Sequence, residues 1–156
     1  MIRMFLSIFR GFGYAFCGIY RTICEERNFR IHLVAVCLVS WFAALYEATA
    51  TQWTVLILLF GGVLSLELIN TALENAVDLV TDQYSPFAEK AKDAAAGAVL
   101  IGAIASVAVA VLLFRDPSHW SLVLQKIQSP VRIVCFVVFA VLALFFVRGR
   151  TDKSKK

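Results

Sequence analysis

The sequence predicts an all-α integral membrane protein: an N-terminal amphipathic surface helix, three core transmembrane helices and a fourth span near the C-terminus. Three observations predict it. The 156 residues are 60% hydrophobic with a mean hydropathy of +0.78, more apolar than a soluble domain of that length carries. The apolar residues fall in long runs with few Pro or Gly between them, and without the alternation of a membrane barrel. Basic residues cluster at the two ends, as Arg3, Arg10, Arg21, Arg27 and Arg30, then Arg148, Arg150, Lys153, Lys155 and Lys156. The first candidate external turn, 47–52, has neither Lys nor Arg, so the pattern is positive-inside with both termini cytoplasmic. The net charge of +4 is thereby a topology signal, and no nucleic-acid partner is implied.

Residues 1–24 open the chain. Phe5, Phe9, Phe12, Phe16, Ile19 and Ile23 recur at steps of three and four, and Arg3, Arg10, Tyr14, Cys17 and Arg21 fall largely on the other side. That suits a helix lying on an anionic leaflet; the alternative is a helix packed inside a bundle. Gly11, Gly13 and Gly18 weaken its continuity. The segment lacks the continuous apolar core and small-residue cleavage site of a signal peptide. Residues 24–33, CEERNFRIHL, stand before the first span. Arg27 and Arg30 suit the headgroup level because arginine snorkels, whereas Glu26 gains nothing there. His32 reads as a satisfied polar contact.

The first span is placed at 28–46, since the apolar stretch 33–46 alone is short and needs Arg30 to snorkel. A tight external turn at 47–52 leads to the second span, 53–80. Ser85-Pro86 predicts a cytoplasmic loop closed by Lys90, Lys92 and Asp93. In the third span, 94–114, Ala98, Gly102, Ser106 and Ala110 repeat every four residues, a stripe that lets helices approach closely. Residues 115–130 read as an external connection with a short interfacial helix, and 131–147 as the fourth span. Residues 1–114 thus carry three spans, and 115–156 the fourth span and a basic tail. Cys17, Cys24, Cys37 and Cys135 show no metal-ligand spacing and read as packing residues.

Chemistry concentrates on one face. Glu67, Asn70, Glu74 and Asp78 follow at steps of three, four and four, within an arc of roughly 80° of a helix. With Trp53 at one interface, Glu67 lies ~21 Å in and Glu74 ~31 Å in. A carboxylate within the hydrocarbon is costly and marks a functional position. Glu26, Glu74 and Asp78 are expected to converge at the cytoplasmic interface. Mg²⁺ is typically held there by one or two carboxylates together with substrate phosphates. Lys90 and Lys92 supply positive charge for a nucleotide phosphate. Glu67, deeper and shielded from bulk water, can accept the proton of a lipid hydroxyl, with Asn70 one turn away to orient it. No Gly-rich phosphate loop occurs. Spacing alone therefore leaves three readings open: phosphoryl transfer to a lipid, an ion or proton pathway, or a polar face satisfied by a neighbouring helix.

The segments ERNFRIHL (26–33), ELINTALENAVDLV (67–80) and AEKAKDAAAGAVL (88–100) closely resemble the small bacterial integral-membrane lipid kinases, the diacylglycerol and undecaprenol kinases. The resemblance covers roughly residues 8–114, and RIHL and AKDAAAGAVL look more like the undecaprenol kinase branch. It implies a homotrimer of three-span protomers with an N-terminal surface helix, in the bacterial cell membrane. It implies transfer of the γ-phosphate of ATP, with Mg²⁺, to a lipid alcohol: undecaprenol first, diacylglycerol as the alternative. Active sites are implied at the membrane–cytoplasm boundary between protomers. By the same resemblance Glu67 matches the general base and Asn70 the residue that helps position the reacting groups. Glu26 and Glu74 match the residues that hold metal and nucleotide phosphates. Asp78, Lys92 and Asp93 match nucleotide-binding positions, and Arg10 a basic residue of the surface helix. Residues 115–156 have no counterpart in the three-span core, and the end RGRTDKSKK reads as a topology determinant and leaflet anchor.

Overall fold

A computed structural model describes residues 2–81 and 83–149, and among these described residues there are six helices. They are α1 (Ile2–Glu25), α2 (Arg27–Tyr46), α3 (Ala50–Val80), α4 (Pro86–Leu113), α5 (Pro117–Ile127) and α6 (Pro130–Arg148). The basic tail, Arg150, Lys153, Lys155 and Lys156, lies outside the described residues, as do the side chains of Arg3 and Phe5. By length and composition α2, α3, α4 and α6 can each cross a membrane. The chain is thus an all-helical membrane protein with four spanning candidates.

Helix boundaries follow local chemistry. α1 runs unbroken through Gly11, Gly13 and Gly18. It ends at Glu26, whose extended backbone separates it from α2. The turn between α2 and α3 is shorter than 47–52 because Thr49 and Gln52 form a capping box. The Thr49 hydroxyl accepts from Gln52 N at 3.3 Å, and Gln52 Oε1 accepts from Thr49 N at 2.8 Å. Two orphan donors of the first turn are satisfied reciprocally, so helix begins at Ala50 rather than at Trp53. The loop predicted to run to Asp93 also contracts. Pro86 occupies the first turn of α4, where a missing N–H costs nothing and its fixed φ suits a helix. Lys90, Lys92 and Asp93 are consequently helical and stand at the start of α4.

α3 has 31 residues, about 46 Å of helix against a hydrocarbon thickness of about 30 Å. Its last turns, with Glu74 and Asp78, therefore project past the apolar layer. α4 packs along α3 at Gly102, while Ala98 of the predicted small-residue stripe stays exposed. A Cβ on Gly102 would meet Leu66 Cδ1 at 2.8 Å, so the close approach beside Glu67 depends on that glycine. Ser106 keeps its hydroxyl on Gly102 O at 2.8 Å, which hides a polar group inside an apolar contact.

The core sits at the opposite end, near the α2–α3 turn. Ala43, Leu45, Tyr46, Leu56, Phe114 and Val123 are buried together. Tyr46 there donates to Asp116 O at 3.2 Å and accepts from Asp116 N at 3.1 Å. Gln52 Nε2 donates to Leu113 O at 2.7 Å, and Trp120 Nε1 to Phe114 O at 2.9 Å. These bonds close the end of α4 and hold α5 against α2.

Glu47, at a left-handed φ of 59°, is the α2 cap and pairs with Lys126 of α5 at 2.6 Å. The lysine, hydrogen-bonded to it, holds the Glu47 carboxyl below its ordinary value of 4.5. A carboxyl with a lower pKa folded than unfolded stabilises the fold above about 4.5, and that contribution is lost as pH falls through the folded value. Wild type should thus lose resistance to denaturing detergent below that pH more steeply than Glu47→Gln. Parallel curves for the two proteins would remove the pair from the stability account. The effect is small because the Glu47 side chain is 60% exposed and water screens the pair.

Candidate functional site

The polar face of α3 divides into a buried upper part and an open lower part. Glu67, Asn70 and Thr71 are buried. Glu74 and Asp78 are half-buried further along. Glu67 is only 3% exposed, and its carboxylate makes no ion pair or side-chain hydrogen bond among the described residues. The charges it senses are the carboxylates of Glu74 and Glu26, which places the α2 N-cap beside the α3 face. The Thr71 hydroxyl returns to Glu67 O at 3.0 Å, so it satisfies itself on the backbone and leaves the carboxylate free.

Asn70 does not orient Glu67 by a hydrogen bond. Its amide donates instead to Glu74 Oε1 at 3.0 Å, a bond one turn along the same helix. Its Oδ1 is buried and has no partner. A buried acceptor without a donor carries the desolvation cost of a missing hydrogen bond. The face therefore offers a carboxylate and an amide oxygen, both ready to take a proton donor.

Below them Lys92 of α4 bonds Asp78 of α3. A polar cavity of about 370 Å³ opens there, lined by Asp78, Tyr84, Glu89, Lys92 and Asp93 among others. Asp78, Lys92 and Asp93 thus line one cavity. Lys90 is exposed and does not line the cavity, because the helix that begins at Pro86 turns it away. Arg10 is exposed on α1, with no hydrogen bond or ion pair to these groups.

Tyr84 and Glu89 of the cavity wall are among the residues that escaped the sequence reading. Tyr84 donates to Glu89 Oε2 at 2.7 Å, and this bond pushes the Tyr84 phenol up. Their spacing of five residues across Pro86 carries no helical signal, which is why the pair was missed. Glu26, Glu67 and Glu74 approach one another electrostatically, but among the described residues no three acidic, His or Cys groups form a self-sufficient metal cage. That donor set fits Mg²⁺, which is usually held by one or two carboxylates with phosphates completing its shell.

A second cavity, about 200 Å³, runs between α2, α3 and α4. Val36, Leu56, Phe60, Val63 and Val107 line it, with His32 and Ser106 its only polar side chains.

The model of the prokaryotic diacylglycerol kinase family matches residues 13–114. The chain belongs to that family. It is 46% identical over 106 residues to an undecaprenol kinase of Bacillus subtilis, covering 68% of this chain and 86% of that protein. A diacylglycerol kinase of Synechocystis is 45% identical over 107 residues, 68% of this chain and 61% of its own. The Escherichia coli K12 diacylglycerol kinase is 32% identical over 103 residues, 66% and 84% respectively. No solved structure matches the chain. Family membership closes the choice that spacing had left open: the chain is a membrane lipid kinase, an ATP-dependent phosphotransferase. The matched region holds Glu26, the polar face of α3 and the polar cavity, leaves Arg10 outside, and ends just before α5.

Proposed function

We propose that the chain phosphorylates undecaprenol at the cytoplasmic face of the bacterial cell membrane, using ATP and Mg²⁺. The observation that carries the reaction is the buried pair of Glu67 and Asn70 Oδ1, an uncompensated carboxylate beside an unsatisfied acceptor. A lipid hydroxyl would first be held by its O–H on Asn70 Oδ1, then turn that one proton to Glu67, which would take it as the hydroxyl oxygen attacks the γ-phosphorus and the bond from that phosphorus to the ADP oxygen breaks. Phosphoryl transfer needs little more than such positioning and charge stabilisation. Glu26 and Glu74 would hold Mg²⁺ together with nucleotide phosphates, and the metal would neutralise charge on the transferred group. Asp78, Lys92 and Asp93 would bind the nucleotide in the polar cavity, with Tyr84 and Glu89 at its rim.

The acceptor is supported by the apolar groove between α2, α3 and α4. Ser106 already spends its hydroxyl on the backbone, so His32 alone could serve two ester carbonyls. An isoprenoid chain asks for no such donors, and the undecaprenol kinase of Bacillus subtilis is the relative with the highest identity quoted above. We further propose that residues 1–114 act as the kinase core in a homotrimer, with both termini cytoplasmic. Phe9, Phe12 and Phe16 are exposed on α1, which supports its lying on the bilayer surface. Arg10 would then meet headgroups or nucleotide at that surface.

The test is transfer of labelled γ-phosphate from ATP by purified protein in bicelles, with undecaprenol and diacylglycerol offered separately. Preference for undecaprenol is expected. Preference for diacylglycerol would move the protein to phosphatidic acid synthesis, and transfer to neither would overturn the proposed reaction.

A further inference from the structure

Family likeness stops at residue 114, so α5 and α6 need their own account. α6 has no buried residue, yet it rests against α2 at two separated points. The first is a stack of Trp41 on Phe136, centroids 5.2 Å apart and planes 24° apart. Apolar cavities flank it. One of about 410 Å³ includes Leu38, Leu45 and Ile133 in its wall. Another of about 170 Å³ is bounded by Cys37, Trp41, Cys135 and Phe139. An interface with such voids is weakly packed and needs a second fixing point.

That second point is Arg30. It is 4% exposed, and its Nε and Nη2 are buried without a hydrogen-bond partner. Its Nη1 reaches the carboxyl end of α6. A Cβ on Gly149 would stand 3.4 Å from Arg30 Nη1, 3.2 Å from Phe146 O and 3.6 Å from Phe145 O. The guanidinium is permanently charged. The last turn of a helix presents unpaired carbonyls and the negative end of the helix dipole. A buried cation beside the carboxyl end of a helix is electrostatically complementary to it. Gly149 leaves them the room. Arg30 also stands one turn from Glu26, with its backbone N–H on Glu26 O at 3.4 Å.

We propose that α6 is a built-in strap along α2, latched by Arg30, that closes this flank of the kinase to lipid and steadies the first turn of α2. On the kinase reading above, the acceptor then enters through the α2–α3–α4 groove, and Glu26 keeps its place beside Glu67. Arg30 is a positioning residue: it acts through α6 and touches neither nucleotide nor acceptor. Loosening the strap opens a lipid-facing flank, so acceptor binding changes. The nucleotide cavity lies between α3 and α4 and is left alone.

Cys37 and Cys135 share one cavity wall, which makes strap docking measurable without any assay of activity. The full-length protein, with Cys17 and Cys24 changed to Ser, is treated in membranes with a short bifunctional thiol reagent. A product linked within one chain is expected. Its yield should fall several-fold in Arg30→Gln, in Gly149→Leu, which crowds the latch without removing its charge, and in Phe136→Ala, which breaks the stack. Arg30→Lys should restore most of it. In the same variants KM for the lipid acceptor should shift several-fold while kcat and KM for ATP hold. Links between chains, or a yield indifferent to Arg30 and Gly149, would overturn the strap. So would a fall in kcat with unchanged cross-linking, because Arg30 would then act within the site. Cross-linking behaves as described even if neither lipid is phosphorylated, so failure of the strap and failure of the kinase reading are told apart.

Discussion

Glu67→Gln is expected to abolish lipid phosphorylation while the protein assembles normally, with kcat down by about 10²–10⁴, the usual share of general base catalysis. The substitution keeps shape and hydrogen-bonding capacity and removes only the ability to hold a proton. Glu67 has no counter-ion among the described residues and feels two other carboxylates. Neutralising it removes an uncompensated buried charge, so thermal stability should hold or rise. A structural carboxylate would behave in the opposite way, with stability lost and activity following it down. Size-exclusion profile, melting temperature and single-turnover phosphate transfer, measured on one preparation, separate the two. Residual transfer near wild-type levels would remove Glu67 from the mechanism.

Lys92→Met is expected to raise KM for ATP by about ten- to a hundred-fold, the loss of one charge-assisted contact to phosphate. Lys92 lies in the wall of the polar cavity and is bonded to Asp78 on the neighbouring helix. Both partners are more than a third exposed, so the pair contributes little to stability. The cost should appear in nucleotide binding. Lys92→Arg keeps the charge and should recover much of the affinity, although arginine presents a planar fork where lysine presents a point charge. The decisive measurement is KM for ATP at saturating lipid beside KM for lipid at saturating ATP. A change confined to the lipid constant would contradict the assignment of this cavity to nucleotide.

Much of this site was legible before any coordinates, for reasons particular to each residue. The steps separating Glu67, Asn70, Glu74 and Asp78 place them on one face of any helix, because the helical period is local and needs no tertiary information. Their depth followed from counting residues through an apolar run. The Thr49–Gln52 capping box and the start of α4 at Pro86 were equally local, and both lay within loops drawn too long. The Asn70 bond to Glu74 was also available from its spacing of four. The alternative partner, Glu67 at a spacing of three, is equally close in sequence, and side-chain rotamers chose between them.

By itself, then, the sequence determined the class of protein, its four apolar helices and the polar face on α3. Apolar run length and helical periodicity are properties of the chain alone, and the bilayer admits few solutions for such runs. Tertiary structure decided which polar groups meet across helices. Lys92 finds Asp78 because α4 returns along α3 from a short turn. Arg30 could be read only as a headgroup contact, since its neighbour at Gly149 lies far along the chain. A cation's environment is the sum of every element packed around it, and that sum exists only once the helices have docked.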